Sequence, residues 1–190
     1  MIYAFNIWRA ELDRYAADIS SSVDNLNAAR IMGKECKSSK VTAEIGKLHF
    51  KANDLLFKSF FLAAFAMRKM DDAAKTPFPA NKMLATKVDR QLNKRLSEFS
   101  FDCYIGREVE KDGTRSISVD DSEIIDGRQL TNLAIHSESI RDFSPPDTDP
   151  GFWIRSDRYP QKSDDKIYMF VDLREFSDML DDFRKSPWKD

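Results

Sequence analysis

Four carboxylates in the second half of the chain are of the residue type that metal-dependent hydrolysis needs. Asp120, Asp121 and Glu123 lie close together, and Asp172 follows a later apolar segment. Hard cations bind several oxygen ligands that converge in space, and a cation held in this way can activate a water molecule for attack on a substrate. The spacing does not match a calcium-binding loop. The residues allow a metal-dependent nuclease or hydrolase, but a solvated acidic loop is the simpler interpretation, and Asp172 is also explained as a helix cap.

Other catalytic patterns are missing from the sequence. The chain has two histidines, His49 and His136, and their order along the chain specifies neither a Ser/His/Asp nor a Cys/His arrangement. Neither of the common glycine-rich phosphate-binding motifs occurs. We therefore assign no catalytic residue, expect no cofactor and expect no nucleotide-driven chemistry of the common types.

A basic ridge is the candidate for nucleic-acid binding. Lys87, Arg90 and Lys94 lie on one side of a helix that we predict from about Asn81 to Phe99. Such a ridge could contact phosphates, although it lacks the interleaved exposed aromatic residues that bind single strands. The ordinary alternative is the charged outer face of an amphipathic helix.

Aromatic and arginine residues in the last third of the chain are candidates for a protein interface. Trp153 and Arg155 follow a proline-rich segment, and Arg158 and Tyr159 come shortly after them. Tryptophan, tyrosine and arginine are enriched at the residues that dominate binding energy. The sequence allows equally well that Trp153 packs on a sheet.

The first half of the chain must form long helices. The residues that recur every three or four positions in the first helix are Phe5, Trp8, Leu12, Tyr15, Ile19, Ser22 and Leu26. The second helix has a matching stripe formed by Val41, Ile45, Leu48, Ala52, Leu55, Ser59, Leu62 and Ala66. A short connection between two such helices predicts an antiparallel helical hairpin.

The second helix contains the most apolar segment of the chain, residues 55–67 (LLFKSFFLAAFAM). A run of about 13 residues is short for a bilayer span, which takes about 20, and charged residues near the N-terminus do not fit a signal peptide. We therefore expect a cytoplasmic protein without a membrane partner. Phe50, Phe57, Phe61 and Phe65 form a second apolar face, which must be covered by another element or, if exposed, must bind a partner.

The second half of the chain changes to the period of β-strands. Residues 102–109 and 114–119 predict a hairpin, and a three-residue turn from Lys111 to Gly113 would place Ile105 opposite Val119. Residues 124–143 are ambiguous between helix and strand. Two further strands and a helix that begins after Asp172 complete the pattern. The predicted fold is α+β: a three-helix N-terminal bundle (1–100) and a region with a small, mostly antiparallel sheet and a C-terminal helix (101–190), in one or two domains.

Charge divides the chain in the same place. Residues 1–100 carry a net charge of +6 and residues 101–190 a net charge of −8. Such asymmetry fits either a charged partner or two halves that attract each other. Cys36 and Cys103 have no metal-binding or disulfide spacing.

These patterns favour a non-enzymatic protein that docks onto a protein or nucleoprotein complex. Small accessory proteins of phages or mobile elements, including inhibitors of host complexes, have this general character. The alternatives are a metal-dependent nuclease or hydrolase and a nucleic-acid-binding protein. The sequence leaves the oligomeric state open.

Overall fold

Two long helices form the N-terminal layer of the protein. The computed structural model describes residues 2–35, 39–75, 95–141, 148–157 and 167–185. Helix α1 (Ile2–Glu35) and helix α2 (Ser39–Lys75) pack side by side as the predicted antiparallel hairpin. No helix among these residues is long and apolar enough to cross a bilayer.

The predicted stripe of α1 is confirmed, whereas the predicted stripe of α2 is partly wrong. The buried members of the α1 stripe are Leu12, Tyr15, Ile19, Ser22 and Leu26. In α2 the buried side is centred on Leu56, Phe60 and Ala63, while Leu55 is exposed. Phe60 contacts Phe152 of the sheet and Phe176 of the C-terminal helix, with ring centroids 5.6 and 4.6 Å apart. The buried side of α2 lies at a different angle around the helix from the predicted one, because this helix packs on the sheet as well as on α1.

The predicted third N-terminal helix is not found in the described residues. Most of its range, residues 81–94, lies outside them. At its end, Leu96–Glu98 forms a single 3₁₀ turn, and Phe99 is extended and leads into the first strand. The described part of the first hundred residues therefore contains two α-helices where we predict three.

A five-stranded antiparallel sheet forms the second layer and establishes the α+β fold. The strands are β1 (Ser100–Lys111), β2 (Thr114–Asp126), β3 (Ser137–Arg141), β4 (Gly151–Ser156) and β5 (Ile167–Asp172), in the order β2-β1-β5-β4-β3. Helix α3 (Gly127–Ile135) connects β2 to β3, and helix α4 (Leu173–Lys185) follows β5. The ambiguous segment after Ile124 thus contains the end of a strand, a helix and a further strand.

The β1–β2 hairpin differs from our prediction in turn and register. Asp112 and Gly113 form a two-residue turn with φ angles of 54° and 74°, and Lys111 pairs with Thr114. A bulge then shifts the register, so that Ile105 lies opposite Asp121 and not Val119. Both turn residues have positive φ, as a type I′ turn requires, and this turn matches the twist of the strands better than the longer loop.

A single large core lies between the helices and one face of the sheet. It unites α1 and α2 with α3, α4 and four of the strands through residues such as Phe60, Ile125, Ile154, Met169 and Phe176. The opposite face of the sheet carries a small cluster of its own, formed by Trp153, Tyr168 and Phe170.

Candidate functional site

The outer side of α2 exposes large apolar side chains in a regular row. Leu48, Leu55 and Leu62 are 61%, 42% and 45% exposed, and we call these three the leucine row. Residues seven positions apart lie on the same side of a helix, about 10.5 Å from one another along its axis. Phe65, 39% exposed, lies three positions after Leu62 and makes an edge contact with Trp8, with ring centroids 5.9 Å apart.

Four lysines run beside the leucine row. Lys47, Lys51, Lys58 and Lys69 are all exposed, and we call them the lysine row. At 100° per residue they lie roughly 60° around the helix from the leucines. Lys58 donates to the Asp54 carboxylate at 2.9 Å. The outer surface of α2 is therefore both apolar and basic.

Helix α1 borders the other side of the leucine row. The Ser59 hydroxyl donates to the Asp18 carboxylate at 3.2 Å, and Ser59 lies between Leu55 and Leu62 on the helix surface. Ile7 and Met32 lie on the same side of α1 as Asp18 by helical period, and both are more than half exposed. The two helices thus form a shallow trough with the leucine row along its α2 side and the lysine row on its outer crest.

Sequence reasoning missed this trough because it placed the leucine row against α1. The sequence did indicate an exposed apolar surface on α2, since this helix has more apolar residues than one partner helix can cover. The phenylalanines of the predicted second apolar face differ from one another in exposure. Phe57 contacts Phe152 at 4.4 Å between centroids, and Phe57 and Phe61 pack at the edge of the core, whereas Phe50 and Phe65 are 75% and 39% exposed.

Trp153 and Arg155, the described members of the predicted aromatic–arginine patch, lie on β4. Trp153 is 1% exposed and packs on Phe170, with centroids 5.3 Å apart. Arg155 pairs with Glu138 at 3.3 Å. The Nε1 atom of Trp153 and the Nε atom of Arg155 are buried without a hydrogen-bond partner. Trp153 therefore packs on the sheet, as the alternative prediction has it, and its ring is not accessible to a partner.

Several predicted site residues lie outside the described residues. These are the other two members of the aromatic–arginine patch and the whole basic ridge, namely Arg158, Tyr159, Lys87, Arg90 and Lys94. The nucleic-acid prediction and half of the interface prediction stay predictions.

The structure does not bring the four acidic candidates together. Asp120 pairs with Arg107 at 2.8 Å, and Asp121 accepts the backbone N–H of Ser122. Asp172 lies on β5, which β1 separates from β2. Among the residues that the structure describes, no group of three histidine, cysteine or acidic side chains is placed to hold a metal ion.

Asp172 has the capping role that the sequence predicts for it. Its carboxylate accepts the backbone N–H groups of Arg174 and Glu175 at 2.8 and 3.2 Å. Burial raises the pKa of Asp172, outweighing these hydrogen bonds. Burial also raises the pKa of Glu175, and the nearby charges of Asp172 and Asp102 add to the effect. Two carboxylates thus share the start of α4 at a cost in electrostatic energy.

Cys103 is a buried core residue. Its side chain is 3% exposed, and burial, with the nearby carboxylates, raises the pKa of the thiol to about 12. A thiol in this environment is a poor nucleophile.

The most highly connected charged cluster surrounds Asp71 at the end of α2. The Asp71 side chain is 2% exposed and accepts from Arg95 and Arg128, each at 2.8 Å. Arg128 also donates to Asp72 at 3.0 Å, and Arg68 joins Asp72 to Asn132. Burial works to raise the pKa of Asp72, but the hydrogen bonds from Arg68 and Arg128 outweigh it, so the pKa is lowered. Each carboxylate is held by two guanidinium groups, so the cluster ties α2 to the 3₁₀ turn and to α3.

Comparison with known protein families, with curated proteins and with solved structures gave no match.

Proposed function

We propose that this protein is a non-enzymatic interaction module that docks onto a macromolecular partner through the outer surface of α2. The observation that supports the proposal is the leucine row, since Leu48, Leu55 and Leu62 remain exposed on a helix whose other side is fully used in the core. Exposed apolar side chains that lie together on one side of a folded surface are typical of interaction sites.

The remaining chemistry of the described residues is consistent with this proposal. The Asp71 cluster is internally paired, and the Cys103 thiol is buried with a raised pKa. The sequence gives no coherent catalytic set either. A docking role needs only a rigid surface, and α2 supplies a helix about 55 Å long for its 37 residues.

The test is affinity capture from the source cell with the tagged full chain. The Leu55→Glu variant should lose a stoichiometric partner that the wild-type protein captures. The matched control is Ile124→Glu, which makes the same kind of change at a side chain that is 71% exposed on β2. Circular dichroism should show that both variants fold, because both positions are exposed.

Two results would count against the proposal. Capture of no stoichiometric partner by the wild-type protein contradicts the docking role itself. Equal capture by the wild-type protein and by Leu55→Glu contradicts the assignment of docking to α2.

A further inference from the structure

The shape and charge of the trough identify the kind of partner that fits it. We propose that its occupant is an amphipathic α-helix of the partner, with apolar residues at heptad spacing and carboxylates along the edge that meets the lysine row. This inference depends on the proposed docking function and adds the chemistry of the partner to it.

The spacing of the apolar residues favours a helix over an extended peptide. Leu48, Leu55 and Leu62 repeat at about 10.5 Å, which is the repeat of apolar positions on a second helix lying alongside. Alternate side chains on one face of an extended strand repeat at about 6.8 Å and cannot stay in register with this row. The α1 side of the trough adds Ile7 and Met32, so that a third helix could rest on both helices.

The charge of α2 requires an acidic edge on that helix. The lysine row contributes four positive charges, and Asp54, already paired with Lys58, contributes one negative charge. Carboxylates at the flanking positions of the incoming helix would pair with these lysines, as they do between the strands of coiled coils. Charge pairing of this kind mainly sets partner choice and association rate.

The same charges disfavour a second copy of this chain as the occupant. Two α2 helices packed through their leucine rows would bring two lysine rows together. Like charges placed opposite one another across an interface are unfavourable.

The position of the leucine row disfavours a membrane surface. The buried side of α2 is centred near Phe60 and Ala63, so the direction farthest from the core passes close to Lys47, Lys58 and Phe65. A flat bilayer would meet two lysines and one aromatic ring there, whereas helices that bind the interface place a continuous apolar face at that point. A helix lying in the trough reaches the leucine row directly.

The probes for the test are two monomeric, hydrocarbon-stapled helical peptides. Both carry leucine at heptad positions, and they differ only in flanking residues, which are glutamate in one and lysine in the other. Fluorescence anisotropy measures their dissociation constants with the full chain. We expect the glutamate peptide to bind at least tenfold more tightly than the lysine peptide, with an affinity that falls as salt rises.

Variants of the protein separate the two parts of the surface. Lys51→Glu with Lys58→Glu should reverse the preference between the peptides, and Leu55→Glu should remove binding of both. The matched control, Lys111→Glu with Arg115→Glu, makes the same charge change on the β1–β2 hairpin and should leave both affinities unchanged. Because all these side chains are exposed, the variants should fold like the wild-type protein.

Four results would overturn the proposal: binding of neither peptide, equal binding of both, binding to vesicles of 30% phosphatidylserine in phosphatidylcholine in place of the peptides, or a dimer in light scattering that Leu55→Glu dissociates. Failure of this inference is distinguishable from failure of the docking function. A cellular partner captured through Leu55 but unaffected by Lys51→Glu with Lys58→Glu would keep the docking role and refute the acidic helix.

Discussion

At the scale of single residues, the Asp71 carboxylate is a buried charge held by several donors. It is held by the Nε atom of Arg95 and a terminal nitrogen of Arg128, and it also accepts the backbone N–H of Leu96 at 3.2 Å. Removing one partner from a buried ion pair leaves the other charges uncompensated in a medium of low dielectric constant. The stability of the junction between α2 and α3 should therefore depend strongly on this charge.

We predict that Asp71→Asn lowers the free energy of unfolding by about 3 kcal/mol at pH 7. The substitution keeps the volume of the side chain, so the loss reports the charge. The matched control is Asp54→Asn, which breaks the exposed pair with Lys58 and should cost less than about 1 kcal/mol. Urea unfolding followed by circular dichroism measures both, and equal losses would contradict the assignment.

Glu175 and Asp72 should respond to pH with opposite signs. The pKa of Glu175 is raised, mainly by burial, so ionisation disfavours the folded state and its cost appears as pH rises through that pKa. Glu175→Gln should therefore be more stable than the wild-type protein at pH 7 and equal to it at pH 3. The pKa of Asp72 is lowered, because hydrogen bonds from Arg68 and Arg128 outweigh burial. Asp72→Asn should accordingly be less stable at pH 7, with a loss that shrinks as pH falls.

Urea midpoints of the two variants and the wild-type protein at pH 3, 5 and 7 provide the measurement. A Glu175→Gln variant less stable than the wild-type protein at pH 7 would show that the charge is favourable at the start of α4, where the helix dipole also acts. The two aspartates were not identifiable as special from the sequence. Asp71 and Asp72 look like an ordinary charged pair at the end of a helix, and their partners Arg95 and Arg128 are distant in the chain.

At the scale of elements, the β1–β2 hairpin shows where pattern reasoning succeeds and where it stops. The strands and the turn region could be predicted from alternation and from Asp112–Gly113. The register could not, because we assumed that the apolar residues of both strands share one face. In the structure the sheet has apolar clusters on both faces, and Ile117 packs beside Trp153 on the second face while Cys103 lies in the main core.

We predict that Gly106→Ala is strongly destabilising, whereas Gly46→Ala is stabilising. A Cβ atom at Gly106 would clash with Ile117, and it would lie 2.8 Å from the carbonyl oxygen of Ser118 and 2.9 Å from the Trp153 ring. The strand backbone or the Trp153 cluster must then shift, at a cost of about 2 kcal/mol or more. A Cβ atom at Gly46 meets nothing within 4 Å, and alanine in an exposed helix adds about 0.5 to 1 kcal/mol.

Thermal unfolding of the two alanine variants is the measurement, and they serve as controls for each other. A harmless Gly106→Ala would mean that β2 and the Trp153 ring do not lie as close to Gly106 as described. Helix α2 shows the same limit of prediction from sequence. The period of α2 was clear from the sequence, but its phase was set by contacts of Phe60 with Phe152 and Phe176, which are more than ninety residues away along the chain.

At the scale of the whole molecule, the two oppositely charged halves of the chain are joined by one core. Arg184 of α4 donates to Asp13 of α1 at 2.8 Å, and Arg128 of α3 donates to Asp71 of α2 at the same distance. In both pairs the arginine belongs to the second half, whose net charge is negative, and the aspartate belongs to the first half, whose net charge is positive. Attraction between the net charges of the two halves therefore does not explain these pairs. Apolar contact joins the halves instead, and Phe60 is central to it because it contacts both Phe152 and Phe176.

We predict that the helical hairpin and the sheet unfold in a single cooperative transition. A core shared in this way gives neither layer enough buried apolar surface to persist without the other, which is the condition for two-state unfolding of a small protein. Trp8 on α1 and Trp153 on β4 report the two layers separately when the protein is labelled with 5-fluorotryptophan. Their ¹⁹F signals should lose native intensity at the same urea concentration, and Phe60→Leu should move both midpoints down together. A Trp8 signal that persists after the Trp153 signal is lost would mean that α1 and α2 form an independent hairpin, and the trough would then be a surface of that hairpin alone.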